Sequence, residues 1–307
     1  MQRSFFDYLV ITLKGMAMGA ADVVPGVSGG TIAFISGIYE ELIDSINNIN
    51  LQTVKVLKDE GLAAAWKKLN GNFLLALFIG IGISVLSLVR SIRWLLENEP
   101  VLLWAFFFGL VLASIIYVGK EITRFTPGVV ALLIIGAVTA YYITTLPPLS
   151  NDTSAWWFLF IAGALAICAM ILPGISGAFI LVLLGAYQPI VEAVDNKDLK
   201  TIAIVGAGAI IGLLSFSKLL KWTFTNYKNL TLAALTGFII GSLNKIWPWK
   251  ETLTWRVDSH GTQVPVLQES ISPWSFEGDP KLLFAALLAI AGFLTIFILE
   301  RLATKKH

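Results

Sequence analysis

Residues 19–31 read Gly-Ala-Ala-Asp-Val-Val-Pro-Gly-Val-Ser-Gly-Gly-Thr, and residues 171–178 read Ile-Leu-Pro-Gly-Ile-Ser-Gly-Ala. The shared core is Pro25-Gly26-Val27-Ser28-Gly29 against Pro173-Gly174-Ile175-Ser176-Gly177, followed by Gly37-Ile38-Tyr39 and Gly185-Ala186-Tyr187 at the same offset of 148 residues. Both copies interrupt strongly apolar stretches. Matched Pro-Gly breaks in the two halves of a hydrophobic chain point to the binding site of a transporter, at the interface between internal repeats.

Working outward, the 307 residues are 56% hydrophobic and only 14% charged, with a mean hydropathy of +0.78. Soluble domains carry about a quarter charged residues. The composition therefore indicates an all-α polytopic membrane protein. A net charge of +2 gives no electrostatic support to a nucleic-acid partner. Cys168 is the single cysteine, so an internal disulfide and a multi-cysteine metal site are excluded. The N-terminus imitates a signal peptide, but Lys14 interrupts its apolar run and the first motif begins at the supposed cleavage site. It is read as retained.

Apolar segments suited to helices run over about 28–46, 73–96, 101–119 and 127–146, then over 174–193, 201–222, 229–247 and 281–300. Each Pro-Gly pair also follows an apolar arm, about 8–24 and 156–172. The reading is two five-helix halves, 1–147 and 148–307, each opening with a Pro-Gly-broken hairpin, about 8–46 and 156–193. The arms are short for a span of about 20 residues, so each hairpin either crosses or re-enters. Three spans follow the first hairpin, and an odd number inverts the second half. A second set of matches at offset 128 supports the duplication: Gly80/Gly208, Ser87/Ser215, Arg90/Lys218, Arg93/Lys221, Trp94/Trp222, Gly109/Gly237 and Ser114/Ser242. The difference of 20 residues falls in an amphipathic interfacial helix at about 50–70, with Lys55, Lys58, Lys67 and Lys68 among Val54, Leu57, Leu62 and Trp66.

Loop charges orient this topology. With both termini cytoplasmic, the cytoplasmic side receives those four lysines together with Lys120, Arg124, Lys218, Lys221, Lys228, Arg301, Lys305 and Lys306. The external side receives Glu97, Glu99, Asp152 and the 248–280 loop, where Lys250 and Arg256 face Glu251, Asp258, Glu269, Glu277 and Asp279. That satisfies the positive-inside rule. Trp156, Trp157, Trp247, Trp249 and Trp274 mark the interfaces.

The Pro-Gly-x-Ser-Gly turns carry the first candidate site: Pro25, Gly26, Ser28, Gly29, Gly30 and Thr31, and Pro173, Gly174, Ser176 and Gly177. A broken helix leaves free amides at the start of the next one, which suits an anion. Such backbone survives at membrane depth only in protein or beside a cavity; the plain alternative is a simple kink. Arg90 and Arg93, matched by Lys218 and Lys221, share a helix face in each half and could meet an anion or snorkel to the headgroups, Arg93 with Glu97 as partner. Asp22, whose counterpart is Met170, is a candidate for proton coupling, for cation binding or for pairing with an arginine; otherwise it is a helix-end carboxylate. Glu40 and Glu41 read as interfacial. His260 and His307 are too isolated for a metal or histidine-based site, and no cofactor is implied.

With both motifs in view, the chain resembles the polyprenyl-phosphate transporters, a family long catalogued as a domain of unknown function. The likeness covers nearly the whole chain, and its first motif is the more specific. It implies a flippase in the plasma or inner membrane that returns undecaprenyl phosphate from the outer to the inner leaflet. The turns, Ser28, Ser176, Thr31 and the arginines would then receive the phosphate. Two alternatives stand beside it. The undecaprenyl-pyrophosphate phosphatases have a related turn with Arg and Ser where Gly29 and Gly30 stand here. A small-anion carrier would use the same turns and cations within a closed aqueous path. A homodimer is compatible with the glycine faces Gly206, Gly208 and Gly212, which could equally pack the protein against itself.

Overall fold

The computed structural model describes residues 3–23, 28–148, 155–257 and 263–304. It is mostly helical. Helix α1 (Phe5–Val23) leads to the first turn, and a short α2 (Gly29–Ile35) and α3 (Tyr39–Asn47) return from it. Then come α4 (Leu51–Asp59), α5 (Leu62–Lys68), α6 (Gly71–Asn98), α7 (Pro100–Lys120) and α8 (Pro127–Thr145). The second turn lies between α9 (Trp156–Ile171) and α10 (Gly177–Leu183), with α11 (Tyr187–Asp195) after it. Next is the long α12 (Leu199–Gly241), continued by a 3-10 turn at Ser242–Ile246. Strands β1 (Lys250–Val257) and β2 (Gln263–Ser270) precede the last helix, α13 (Leu282–Thr304).

Four of these helices are long and apolar enough to cross a membrane: α6 over Gly71–Leu88, α7, α8 and α12. The bent pair α10 and α11 would make a fifth. This is a multi-pass membrane protein.

Three expectations are corrected. The segments 28–46 and 174–193 are not single helices, because Gly37 (φ 72°) and Gly185 (φ 70°) break them. At 1.5 Å per residue, the seven residues of α2 or α10 advance only about 10 Å, a third of a hydrocarbon core. A bend of 109° then turns α11 away from α10. The 50–70 segment is likewise two helices, divided at Gly61 (φ 87°), although Val54, Leu57, Leu62 and Trp66 are all exposed as an interfacial surface requires. Finally, the 248–280 loop is not irregular throughout but contains an antiparallel hairpin pairing Lys250 with Ser270 and Glu251 with Glu269, an addition to an otherwise helical membrane fold. Asp258 and His260 lie outside the described residues, as do Asp152, Lys305, Lys306 and His307.

Packing is organised by glycines at which one helix backbone lies directly on another. A Cβ at Gly80 would strike the Thr12 carbonyl oxygen, closing α6 on α1, and a Cβ at Gly208 would strike that of Phe160, closing α12 on α9. Gly109 of α7 meets Ala289 of α13, and Gly237 of α12 meets Leu133 of α8. These contacts recur at the sequence offsets: residues 80 and 109 correspond to 208 and 237, 128 positions later, and 12 corresponds to 160 at 148. Backbone breaks recur as well, since Glu99 between α6 and α7 (φ −137°, ψ 48°) matches Tyr227 within α12 (φ −140°, ψ 46°). Glu99 is tied to Lys281 beside the β-hairpin, whereas the neighbours of Tyr227 reach the opposite end, where Asn229 accepts from the Thr123 amide. Gly208 and Gly212 are thus occupied within the chain, by Phe160 and Ala164, while nothing approaches Gly206.

Gly80→Ala and Gly208→Ala should each lower stability by about 1–3 kcal/mol, the usual cost of overpacking, whereas Gly82→Ala, with open space around it, should be near neutral. Thermal unfolding in detergent checks this; equal effects at Gly80 and Gly82 would contradict the packing.

Candidate functional site

The start of α2 meets the end of α9 and the second turn in the buried interior. Ser28 caps α2, accepting from the Gly30 amide at 3.1 Å, and its hydroxyl proton is shared between the Met170 and Leu172 carbonyl oxygens at 3.3 and 3.2 Å. These are free carbonyls at the end of α9. Thr31 accepts from the Gly174 amide of the second turn at 2.9 Å. Ser28 and Thr31 are each only 1% exposed. Gly30 has no room for a side chain, since a Cβ would lie 2.6 Å from the Ile171 carbonyl oxygen. The electropositive start of α2 therefore sits on the electronegative end of α9.

Asp22 completes the first turn. Its carboxylate accepts from the Gly29 amide at 2.7 Å. A Cβ at Gly29 would run into that carboxylate. The anion position at the start of α2 is thus held by a carboxylate of the chain itself, and all of α2 is buried.

The second turn is different. Gly174 is in the left-handed region (φ 91°) and packs on Ser242 and Ile239 at the end of α12. Pro173 is buried, and Gly177 is buried against the Ala166 carbonyl oxygen. Ser176 stands at the start of α10 without a side-chain cap bond, half-buried, and Ala178 beside it is exposed. Pro25 and Gly26 lie outside the described residues.

The cationic candidates do not gather at the turns. Arg90 is exposed on α6, and the Arg93 side chain lies outside the description. Lys218 is exposed on α12, near the equally outward-facing Trp222. Lys221 bonds Asp44 of α3 at 2.9 Å, and Lys228 bonds Glu40 at 3.0 Å. Glu40, Asp44, Lys221 and Phe224 line a cleft of about 170 Å³ between α3 and α12. Asn47 strengthens this seam by donating to the Ser217 carbonyl oxygen at 2.9 Å. The corresponding helix α11 makes no comparable packing against α6.

Sequence reasoning missed several polar groups. Asp44 was hidden among ordinary helix-end charges. Lys14, noted only as an interruption, donates to the Ser36 carbonyl oxygen at 2.6 Å, at the C-terminal end of α2. Glu41, read as interfacial, holds Arg3 in a two-pronged pair at 2.5 and 2.7 Å. Only the pairing of residues at helical spacing with acidic partners across the fold could have flagged them.

Residues 18–264 match the family described as VCA0040-like, undecaprenyl phosphate translocase-like. The chain belongs to this family. Among its relatives, a polyprenyl-phosphate transporter of Vibrio cholerae serotype O1 (strain ATCC 39315 / El Tor Inaba N16961) is 49% identical over 303 residues, covering 97% of this chain and 98% of that protein. A polyprenyl-phosphate transporter of Staphylococcus aureus (strain NCTC 8325 / PS 47) is 33% identical over 253 residues, covering 77% of this chain and 85% of the other. No solved structure matches. The resemblance read from the two turns is thus the family's, and both turns lie inside the matched span.

Thr31→Val keeps the shape of the side chain but leaves the buried Gly174 amide without its acceptor, a loss of about 1–3 kcal/mol. Thr31→Ser should stay close to the parent. Unfolding in detergent would distinguish them, and an unperturbed Thr31→Val protein would remove this bond from the account.

Proposed function

We propose that this protein carries polyprenyl phosphate across the membrane, with undecaprenyl phosphate as the species and return from the outer to the inner leaflet as the direction. The observation that carries the reading is the match along nearly the whole chain to the Vibrio cholerae polyprenyl-phosphate transporter. The membrane is the plasma or inner membrane, with both termini cytoplasmic, as the loop charges favour.

The mechanism follows from two halves, 1–147 and 148–307, related by inversion. Recurring glycine contacts and recurring breaks at Glu99 and Tyr227, which face opposite ends of the molecule, support that relation. The half-length helices α2 and α10 favour re-entrant hairpins. A phosphate monoester needs a polar path, while its isoprenoid tail stays in lipid. Ser176 and the amides of the second turn offer that path in the present conformation, and the first turn is occupied by Asp22.

Alternating access is supported by the unequal seams. Asp44 and Lys221 join α3 to α12 on the side opposite the β-hairpin. Their counterparts by offset are Glu192 and Arg93, on α11 and α6, which do not pack together here. In the alternate state Glu192 and Arg93 form the corresponding contact, while Asp44 and Lys221 part. Asp22 loses its hold on the Gly29 amide when a phosphate arrives at the first turn, and protonation of that carboxylate is the step that couples transport to a pH gradient.

Purified protein in liposomes should accelerate transbilayer movement of labelled undecaprenyl phosphate. Arg90→Ala and Arg93→Ala should each slow it about tenfold, the cost of one charged contact. Asp22→Asn should remove the response to an imposed pH gradient. Wild-type rates in both arginine variants would overturn their headgroup role. Movement of inorganic phosphate instead of lipid would favour the small-anion carrier, and phosphate release from the pyrophosphate lipid would favour the phosphatase.

A further inference from the structure

Two lysines on the β-hairpin side take no part in the site described above. Lys245 lies in the 3-10 turn after α12, and Lys250 opens β1. Both are half-buried, and both line a cavity of about 320 Å³ between the end of α8, the 3-10 turn and the hairpin. The Lys250 ammonium lies 3.6 Å from the centre of the buried Trp104 ring and donates to the Lys245 carbonyl oxygen at 2.6 Å. The Lys245 ammonium lies 4.6 Å from the Phe179 ring of α10. Among the described residues, neither lysine forms an ion pair.

This arrangement is costly without an anion. Ring faces and a carbonyl are weaker partners for an ammonium than a carboxylate or phosphate. Two like charges close together in a partly desolvated cavity also repel. Burial, and then the charge of Lys245, holds the Lys250 ammonium well below the ordinary lysine range. Polar groups complete the wall: Thr144 donates to the Asn244 side chain at 2.7 Å, and Ser270 donates to the Asn244 carbonyl oxygen at 2.9 Å. Glu269, the acidic residue on the rim, is exposed and stands more than 4 Å from both ammonium groups.

Position adds the second argument. Phe179 is three residues beyond Ser176, and Ser242, one helical turn before Lys245, packs against Gly174. Lys245 therefore links the cavity it lines to α10, the helix that follows the second turn.

We propose that Lys245 and Lys250 form a binding site for a phosphate monoester, which receives the headgroup on the β-hairpin side before it reaches the second turn. This rests on the transporter reading for its place in the path, but the binding itself does not. The same chemistry would accept a free phosphate, so the lipid and the inorganic ion are tested separately.

The test is calorimetric titration of the detergent-solubilised full chain with a short-chain isoprenyl phosphate, the matching isoprenyl alcohol and inorganic phosphate. The parent should bind the isoprenyl phosphate, more weakly as salt rises, and bind the alcohol at least about tenfold more weakly. Lys245→Gln with Lys250→Gln should weaken isoprenyl phosphate about tenfold or more, while Lys245→Arg with Lys250→Arg retains binding and shows that charge is what matters. Tighter isoprenyl phosphate than inorganic phosphate assigns the site to the lipid; equal affinities support the anion site and assign it to free phosphate. Undiminished binding in the folded double Gln variant overturns the site. Loss of binding in that variant, together with a parent that moves no lipid in liposomes, keeps the site and discards the transporter reading.

Discussion

The structure depends on one contact, the seating of the start of α2 on the end of α9 and the second turn. A seven-residue helix in the middle of a membrane protein has too few internal hydrogen bonds to satisfy its ends, and lipid offers no substitute. Ser28 and Thr31 solve this for α2 and α9 together, by linking the start of one to the carbonyls and amide that end the other. Three of these bonds tie residues more than 140 positions apart, so they fasten the start of α2 to the second hairpin. Gly30 is required because the Ile171 carbonyl oxygen lies where a side chain would begin.

Around that contact, the helices are clamped by close backbone approach together with buried side chains such as Phe73, Leu77 and Phe107. Where helices close at Gly80, Gly109, Gly208 and Gly237, carbonyl oxygens fill the space of a missing Cβ, which is how helices associate when surrounding lipid is as apolar as the helix surface. These clamps recur at fixed offsets, but the seams of α3 and α11 do not: α3 is packed on α12 and ion-paired to it, while α11 makes no comparable packing against α6. Similar parts in unequal arrangements are what the proposed alternating access requires, and the cavity beside Lys245 and Lys250 lies on the side away from the packed seam.

Much of this was legible in the sequence. The turn motif and the helices around it follow from hydropathy and from two Pro-Gly breaks, and the family resemblance rests on those residues. The second break of each hairpin was hidden, although Gly37 and Gly185 were part of the repeated pattern, because an apolar run gives no sign that a glycine within it has positive φ. The β-hairpin was hidden by its charges; the alternation Thr252, Thr254, Arg256 against Leu253, Trp255, Val257 is the period-2 signal that marks it. The cations were harder. Spacing puts Arg90 with Arg93, and Lys218 with Lys221, but it cannot say whether a helix face looks inward, and Arg90 and Lys218 look outward. Lys245 and Lys250 became conspicuous only when the fold placed them over Phe179 and Trp104 with no carboxylate in ion-pair range among the described residues.

The most direct test is to fasten the closed seam. In a chain carrying Cys168→Ala, cysteines at positions 44 and 221 would be joined by a reducible thiol cross-linker, and polyprenyl-phosphate movement measured in liposomes before and after reduction. The account predicts that the linked protein stops and that reduction restores it. Transport at an unchanged rate with the seam covalently closed would contradict alternating access about these two hairpins.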